Sequence, residues 1–563
     1  MEIAKSGYRT LVDALESAPA DRLFVLEWHD ENDHAAVTFG EFRRRALAQA
    51  AFLKHQGVYC GDRVILVIPQ GIALMTTFVG SMMLGALPSI LSYPNSRVDP
   101  TKYRSGLTGV TANLDAPFVI VDAKFPEELL GNISMGDEAK LLRSPDSSES
   151  LRNLDPADCS VHPQNFAFIQ HSAGTTGLQK GAALSHAAIL RHLDHLAEVL
   201  RMSPADRIYS WLPLYHDMGL IACFMLPMVC HLSVVMQSPG EWVQRPETML
   251  KLIKDYQCTM AWMPNFAFQF IPRRTPEDSR SQFDLSSMRA LINCSEPVKT
   301  ESMNEFYEAF EPRGLKRKAL QSSYAMAENV FAVTQSGSNG PLQICADGLR
   351  FRNEHFVEEV SPDAPGAISF TSSGRLLPQN EARIVSETGE TLPNSRVGEI
   401  LIKSDSLFEG YFNRPDLTAQ AMADGWYRTG DLAFFHAKEL FVVGRKKDLL
   451  IVGGENIYPQ DLEEIVSAHP AVHDGRVVVL GRFNRELGTE DIIVVAEVKS
   501  ENLLQNSLPI EREIRASVLA QMAVAVRFVF LKPPKWIVKS TAGKPARSGT
   551  REKLFREYPD LQP

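Results

Sequence analysis

The sequence lacks three features, each of which would assign it to a class of protein. It carries 58 Lys and Arg against 68 Asp and Glu, a net charge of −10, so no overall positive field favours nucleic acid or an anionic membrane. Its seven cysteines lack the close-spaced pairs that zinc sites and redox motifs need. The first residues show no basic stretch followed by an apolar run, so no secretory signal is predicted. These absences predict a protein of the reducing cytoplasm that binds no nucleic acid.

One segment, residues 64–96, contains no charged residue. Its length alone would allow a membrane span. Three prolines divide it, however, and the pieces read as a buried strand, an apolar helix and a second strand, over residues 63–68, 73–84 and 87–91. That order is typical of a parallel sheet covered on both faces, so we favour a buried unit over a membrane span.

Similar apolar runs recur along the first half of the chain, separated by helical stretches. They lie at residues 166–171, 232–237, 259–264 and 290–295. This alternation predicts an α/β domain with several parallel strands covered by helices.

The length of 563 residues exceeds what one hydrophobic core usually supports, so at least two domains are expected. Near residue 367 the pattern shifts to shorter strands with turn signals, which predicts a small β subdomain over about 367–443. A basic turn at 444–448 is followed by an α+β pattern. We therefore predict an N-terminal domain over 1–446 and a smaller α+β domain over 447–563.

A glycine-rich stretch, QHSAGTTGLQKG, begins with the last two residues of the apolar run at 166–171 and precedes a helical pattern. Its glycines let backbone N–H groups approach an anion, while Ser172, Thr175 and Thr176 add hydroxyl donors and Lys180 adds a positive charge. A triphosphate would suit such a loop. The P-loop pattern is absent because Gly181 follows the lysine. The alternative is an ordinary flexible turn.

Six motifs occur together and in order: HSAGTTGLQKG, WLPLYHDMGL, SSYAMAEN, GWYRTGDLA, GRKKDLLIVGGENIYPQDLEEI and KSTAGKPAR. With them the chain resembles, over nearly its whole length, the adenylate-forming enzymes, which include acyl-CoA synthetases, peptide synthetase adenylation domains and luciferases. The stretches LPLYHDMGL, PNFAFQF, NCSEPV and YPQDLEE are most similar to those of fatty acyl-AMP ligases. The resemblance implies a large α/β domain followed by a mobile C-terminal domain.

The resemblance also implies a two-step reaction. A carboxylate attacks the α-phosphorus of ATP, giving acyl-AMP and pyrophosphate, and the acyl group then passes to a thiol. No enzyme nucleophile is required, so the protein aligns the reactants and stabilises charge on the phosphate oxygens.

Residues that match the motifs carry over one by one. Thr175, Thr176, Gly177 and Lys180, with Ser172, would hold the β- and γ-phosphates of ATP. Gln179 stands where proline is usual. Glu328 in YAMAEN matches the glutamate that binds magnesium, although a lone glutamate is more often a solvated surface residue.

The nucleoside would be bound by three further motifs. Tyr324 would stack on adenine, opposite the CSEP turn. Asp431 would accept hydrogen bonds from both ribose hydroxyls, assisted by Arg445. The alternative is an aspartate that caps a turn. The remaining positions implied to contact nucleotide are Ser295, Glu296, Pro297, Ser323, Ala325 and Met326.

Catalysis is implied to depend on the C-terminal tail. Lys544 in STAGKPAR matches the lysine that bridges the carboxylate and the α-phosphate, and Lys447 stands at the hinge between the two domains. His216 in YHDMG would lie near the carboxylate entrance; the alternative is a neutral histidine packed in the core.

Two departures concern the acyl pocket, which the resemblance places at His216, Cys294 and Ala325. Cys294 and Ala325 stand where glycine is usual, and both add bulk. We therefore expect an acid other than a plain long fatty acid.

The acyl acceptor is left open by two conflicting features. Residues 329–373 are longer than the same crossing in typical CoA ligases, as in the insertion that fatty acyl-AMP ligases carry, although an ordinary surface loop is the alternative. The sequence GGENIYP is instead typical of CoA ligases. We predict transfer to the phosphopantetheine of an acyl carrier protein, with CoA as the alternative and a non-catalytic nucleotide-binding relative as a third reading.

Overall fold

The computed structural model describes residues 7–94, 100–131, 133, 140–144, 161–171, 180–452, 455–484, 489–522, 524–539 and 544–561. The helices are α1 Leu11–Glu16, α2 Phe39–His55, α3 Ile72–Met83, α4 Pro100–Leu114, α5 Glu127–Leu130, α6 His186–Val199, α7 Leu226–Val229, α8 Pro239–Gln244, α9 Thr248–Tyr256, α10 Asn265–Arg274, α11 Glu277–Arg280, α12 Thr300–Phe310, α13 Gly348–Glu354, α14 Pro415–Ala421, α15 Pro459–Ser467, α16 Ser507–Met522 and α17 Arg547–Glu557.

The first fourteen strands are β1 Leu23–Trp28, β2 His34–Thr38, β3 Arg63–Val67, β4 Leu87–Ile90, β5 Phe118–Val121, β6 Lys140–Arg143, β7 Phe166–His171, β8 Gly181–Ser185, β9 Arg207–Ser210, β10 Ser233–Gln237, β11 Met260–Met263, β12 Ala290–Asn293, β13 Leu320–Ala325 and β14 Ala332–Gln335. The others are β15 Gln343–Asp347, β16 Ala367–Thr371, β17 Arg375–Leu376, β18 Asn380–Val385, β19 Gly398–Ser404, β20 Gly410–Tyr411, β21 Met422–Ala423, β22 Trp426–His436, β23 Glu439–Arg445, β24 Leu450–Val452, β25 Glu455–Ile457, β26 Val472–Asn484, β27 Thr489–Val498 and β28 Val526–Lys532.

Within the described ranges, the largest sheet has nine strands in the order β17-β14-β13-β12-β11-β9-β10-β1-β2. The six strands from β13 to β1 pair in parallel, and antiparallel strands occupy both edges. The apolar runs predicted as parallel strands at 232–237, 259–264 and 290–295 are β10, β11 and β12 of this sheet. The α/β prediction is confirmed.

A second, fully parallel sheet has the order β4-β3-β5-β6. The uncharged segment forms its centre, as β3, α3 and β4, with bounds within one residue of those predicted. All residues of α3 except Ala73 are buried. Over the part of the chain described, no helix is both long enough and apolar enough to cross a membrane.

The strand before the glycine-rich stretch departs from the prediction. β7 does not join a parallel sheet but pairs antiparallel with β8, with His171 opposite Gly181, and α6 begins only at His186, capped by Ser185. The expected order of strand, turn and helix was therefore wrong. Residues 182–184 are Ala, Ala and Leu, which favour helix locally, but pairing with β7 on one side and β20 on the other makes them a strand.

An antiparallel sheet, β18-β19-β22-β21 with β23 on β22, follows the α/β part. Its strands fall almost within the predicted β subdomain. β15, which precedes residue 367, pairs with β16, so antiparallel structure begins earlier than predicted. The domain limits remain predictions.

The tail contains the predicted α+β elements. β26 pairs antiparallel with β27, which pairs in parallel with β28. Apolar side chains of these strands and of α15 and α16 form a buried cluster separate from the main core. This part of the chain therefore has its own hydrophobic core.

Replacing a helical glycine by alanine should change the stability of the protein in opposite directions at two positions. A Cβ on Gly80 in α3 would lie 2.6 Å from the carbonyl oxygen of Ala46 and 2.9 Å from the amide nitrogen of Ala50, both in the backbone of α2. We expect Gly80→Ala to lower the free energy of unfolding by about 1–3 kcal/mol. Gly106 in α4 has no described atom within 4 Å of that position, so Gly106→Ala should raise stability by about 0.5–1 kcal/mol. Thermal unfolding of both variants checks the prediction, and equal melting temperatures would contradict it.

Buried histidines predict a loss of stability in acid. Burial lowers the pKa of His192 to about 3, and its Nε2 accepts a hydrogen bond from the Ala332 amide at 3.1 Å. Since an unfolded histidine binds a proton near pH 6.5 while the folded ring does not, stability should fall as the pH drops below 6.5, by about 2 kcal/mol at pH 5 for this residue. Denaturant unfolding at pH 7 and pH 5 should show a smaller pH effect in His192→Gln than in the wild type. An unchanged difference would refute this assignment.

Candidate active site

The predicted phosphate lysine and the predicted metal glutamate lie on either side of one tyrosine. The ammonium of Lys180 is 4.7 Å from the centre of the Tyr411 ring. The phenol of Tyr411 donates a hydrogen bond of 2.6 Å to Oε1 of the buried Glu328. The other predicted phosphate-loop residues, Ser172, Thr175, Thr176 and Gly177, lie outside the described residues.

Tyr411 is a site residue that the sequence did not indicate. It lies in β20, a two-residue strand, where it pairs with Ala182 of β8. Its hydroxyl is also 3.0 Å from the hydroxyl of Tyr427. The only signal for it was a glycine-tyrosine pair before a proline-started helix, which by itself indicates a turn rather than a ligand site.

The backbone just after Glu328 is strained. Val330 has φ 62° and ψ −57°, and the Phe331 amide donates to the Asn329 carbonyl at 2.6 Å. This is a γ-turn with a positive φ at its central residue, which is the rarer of the two γ-turn forms. A positive φ is unusual for a β-branched residue. Asn329 Nδ2 closes the turn by donating to the Ala332 carbonyl at 2.9 Å. Strain of this kind persists only where the surroundings hold it, so the position of Glu328 is closely specified.

Tyr324, Asp431 and Arg445 come together although they lie far apart in the sequence. Asp431 and Arg445 are opposite each other on β22 and β23, with Arg445 Nε 3.4 Å from Asp431 Oδ1. The Tyr324 phenol donates to Asp431 Oδ2 at 2.5 Å. Burial raises the pKa of Asp431, against the opposing charge of Arg445. Each carboxylate oxygen can accept two hydrogen bonds, so these contacts leave acceptor capacity for a diol.

Lys544 contacts the turn that follows β12. Its ammonium donates a hydrogen bond to the Ser295 carbonyl and lies 3.9 Å from Oε1 of Glu296. Ser295 has a left-handed backbone, φ 69°, and Pro297 is exposed. The predicted catalytic lysine of the tail therefore lies beside the turn predicted to line the nucleotide pocket.

His216 is bound by its neighbour in sequence. Its Nδ1 is 2.6 Å from Oδ1 of Asp217, and the same carboxylate accepts from the Met218 amide at 2.7 Å. Burial alone would raise the pKa of Asp217, but His216 and the Met218 amide bring that pKa below its ordinary value. Asp217 thereby caps a π-helix, Met218–Met225, whose residues are all buried.

The two positions that replace glycine lie at strand ends. Cys294 is fully buried after β12, where the Ser295 hydroxyl is 3.8 Å from both its sulfur and that of Met218. Burial raises the pKa of the Cys294 thiol to about 12, which favours the neutral thiol over the thiolate at pH 7. Ala325 ends β13 opposite Ala332 and is partly buried against the main core. Ser323, just before Tyr324, and Met326, two residues after it, bond to the backbone of Thr334 and Phe331.

The predicted hinge lies within a group of charges. Burial, with Arg445 adding to it, lowers the pKa of Lys447. The next residue, Asp448, accepts from Arg547 at 3.0 Å, and Arg547 also bonds Glu463 at 2.7 Å. Arg547 is three residues beyond Lys544, so the chain after the tail lysine is tied to the residue that follows the hinge.

Two ion pairs connect the tail to the α/β part. Arg273 lies 2.5 Å from Asp474, and Lys299 bonds Glu464. Together with Lys544 they hold α15 and the start of β26 against the region of α10 and α12. These contacts are polar, whereas Tyr458 of the tail is buried against Phe351 in an apolar cluster with β22 and β23.

The carboxylate predicted to bind magnesium is that of Glu328. Among the described residues, no cluster of three or more His, Cys, Asp or Glu side chains could hold a metal ion. Mg²⁺ commonly takes one or two protein carboxylates, with phosphates and water as its other ligands, so a carboxylate such as that of Glu328 fits this ion.

Comparison with known proteins found relatives that align over almost the whole chain. The long-chain-fatty-acid–AMP ligase FadD32 of Mycolicibacterium smegmatis is 29% identical, covering 93% of this chain and 91% of its own. The medium-chain-fatty-acid–[acyl-carrier-protein] ligase JamA of Moorena producens is 27% identical, over 98% and 96%. A structure from a study of fatty acyl-adenylate ligases of E. coli and L. pneumophila superimposes with a TM-score of 0.90 at 26% identity, over 100% of both chains.

The model of the family described as AMP-binding enzyme matches residues 13–412. This match includes β7, β8, the π-helix, β12, Glu328 and Tyr411, and it spans well over half of the sequence. The chain therefore belongs to the AMP-binding enzyme family.

Proposed function

We propose that this chain uses ATP to convert a carboxylic acid into acyl-AMP and pyrophosphate, and then transfers the acyl group to the phosphopantetheine thiol of an acyl carrier protein. The observation that carries the proposal is the contact of Lys544 with the Ser295 carbonyl. It brings a cation from the tail to the turn that the sequence predicts to line the nucleotide pocket. The neutral, buried thiol of Cys294 supports direct attack by the acid rather than a covalent enzyme intermediate.

In the first step a carboxylate oxygen of the acid bonds to the α-phosphorus while the bond to the β-phosphate oxygen breaks. Lys544 would stabilise the negative charge shared by the carboxylate and the α-phosphate. Lys180 would hold the phosphates that leave as pyrophosphate. Magnesium bound at Glu328 would neutralise part of the polyphosphate charge.

The nucleoside would be held by the Tyr324, Asp431 and Arg445 group. Asp431 offers acceptors for the two ribose hydroxyls, and the bond from the Tyr324 phenol fixes the direction of its carboxylate. The same bond fixes the ring of Tyr324 for stacking on adenine, with Ser295, Glu296 and Pro297 opposite.

The names of two relatives support a fatty or similarly lipophilic acid. FadD32 is named for long-chain and JamA for medium-chain fatty acids. We place the acyl pocket at His216, Cys294 and Ala325, beside the buried π-helix Met218–Met225. The side chains of Cys294 and Ala325 reduce the space there, which favours an acid of a different shape from a plain long chain.

JamA, a ligase named for an acyl-carrier-protein acceptor, aligns over 98% of this chain, and this alignment supports the carrier protein. The second candidate is an acyl-CoA synthetase, favoured by the sequence GGENIYP at 453–459. A non-catalytic relative is disfavoured because Lys180, Glu328, Asp431 and Lys544 are all present. Hydroxamate formation with ATP, magnesium, hydroxylamine and a panel of acids tests the first step.

Replacing the tail lysine should separate the two steps. We expect Lys544→Ala to slow acyl-AMP formation by about 10²-fold or more because a preorganised charge is lost in the transition state. ATP binding and transfer from preformed acyl-AMP should change little. ATP–pyrophosphate exchange, calorimetry and single-turnover transfer measure these quantities. The matched control, Lys499→Ala, removes an exposed lysine of the same domain and should behave as wild type; normal exchange in Lys544→Ala would remove its assigned role.

The acceptor should be visible in the mass of the product. With an acid that gives hydroxamate, we expect the holo carrier protein to gain the acyl mass while CoA remains largely unmodified. The apo carrier protein, which lacks the thiol, is the control. Acyl-CoA as the only thioester formed would replace the carrier-protein proposal with the CoA one.

A further inference from the structure

The phenol of Tyr411 connects to the proposed metal carboxylate. It is buried and donates to Glu328 Oε1 at 2.6 Å, with the Tyr427 hydroxyl 3.0 Å away. A bond from a neutral donor to a carboxylate is stronger than one between neutral groups. Since a carboxylate has about four acceptor positions, one such bond orients Glu328 without exhausting its capacity to bind a cation.

The ring of the same residue contacts the proposed phosphate lysine. Lys180 Nζ lies 4.7 Å from the ring centre, within the range of a cation–π interaction. Such a contact holds the ammonium by charge. Unlike a hydrogen bond, it does not occupy any of the three N–H donors of the lysine. The lysine can thus be positioned and still donate to phosphate oxygens.

The backbone around Tyr411, over residues 408–412, joins the same two parts of the site. The Phe408 amide donates to the Glu328 carbonyl and the Phe412 amide to the Gly181 carbonyl, both at 2.8 Å. Gly410 permits this path, since its φ is 138° and a Cβ there would lie 3.1 Å from Thr418.

We infer that Tyr411 is a positioning residue that holds Glu328 with its hydroxyl and Lys180 with its ring, so that metal ion and phosphates meet both groups in one arrangement. This inference rests on the proposed function. It assigns a role to a residue that need not touch the acid or the α-phosphorus.

Two substitutions separate the hydroxyl from the ring. Tyr411→Phe keeps the ring and removes the bond to Glu328, so the magnesium concentration that gives half-maximal ATP–pyrophosphate exchange should rise about tenfold. Tyr411→Leu removes both contacts and should in addition raise the KM for ATP at saturating magnesium. In a Glu328→Gln background, Tyr411→Phe should add little because its partner charge is gone.

A binding measurement avoids any dependence on turnover. Mn²⁺ titrated into protein and ATP without acid, followed by electron paramagnetic resonance, should bind Tyr411→Phe about tenfold more weakly than wild type. The matched control is Tyr307→Phe, in which a partly buried tyrosine loses a similar 2.7 Å bond to Glu311. It should leave both metal measurements unchanged.

The outcomes distinguish the inference from the proposed function. A lower melting temperature of Tyr411→Phe with wild-type metal dependence in both measurements would mean that Tyr411 has only a structural role. The inference would then be overturned. If wild type performs no exchange with any acid yet binds Mn²⁺ and ATP through Tyr411, the proposed reaction fails and the positioning role stands. Absence of Mn²⁺–ATP binding by wild type would overturn both.

A second variant serves if Tyr411→Phe does not fold. Tyr427→Phe removes the hydroxyl next to the Tyr411 phenol and should weaken Mn²⁺ binding by about threefold. An unchanged affinity would count against the inference.

Discussion

Pairing of the two-residue strand β20 with β8 is the contact on which the candidate site depends. β8 begins directly after Lys180, and β20 carries Tyr411, whose hydroxyl bonds Glu328. Through this pairing the hairpin of β7 and β8 meets the strained turn after β13. Without it, Lys180 and Glu328 would not share Tyr411 as a common contact.

The tail is attached to this site in a different way. Most of its apolar side chains form their own clusters, and polar contacts such as Arg273 with Asp474 and Lys544 with Ser295 connect it to the α/β part. Tyr458 is the exception, because it packs among apolar residues of β22 and β23. A domain with its own core and mostly polar contacts to its neighbour can move as a unit. The link from Arg547 to Asp448, beside the proposed hinge at Lys447, makes such movement relevant to the position of Lys544.

Sequence patterns predicted elements of the fold but not the contacts between side chains. The parallel strands β10, β11 and β12 and the unit of β3, α3 and β4 follow from apolar runs, because a strand buried on both faces has little other sequence choice. The strand β8 was misread as helix because its Ala and Leu residues have no local preference for a sheet. Tyr411 was not predicted because its role arises from one pairing of β20 with a strand more than two hundred positions away.

The sequence by itself determined the family and the α/β class. It also predicted the chemical types at the site: a lysine after a glycine-rich loop, a lone glutamate, an aspartate proposed for a diol and a lysine in the tail. Only the tertiary structure decided which of these groups touch. It joined Tyr324 to Asp431, Tyr411 to Lys180 and Glu328, and Lys544 to the turn after β12. The reason is physical: residue type is set by the chemistry a position must perform, whereas a distance of 2.6 Å depends on strand pairing and packing across the whole chain.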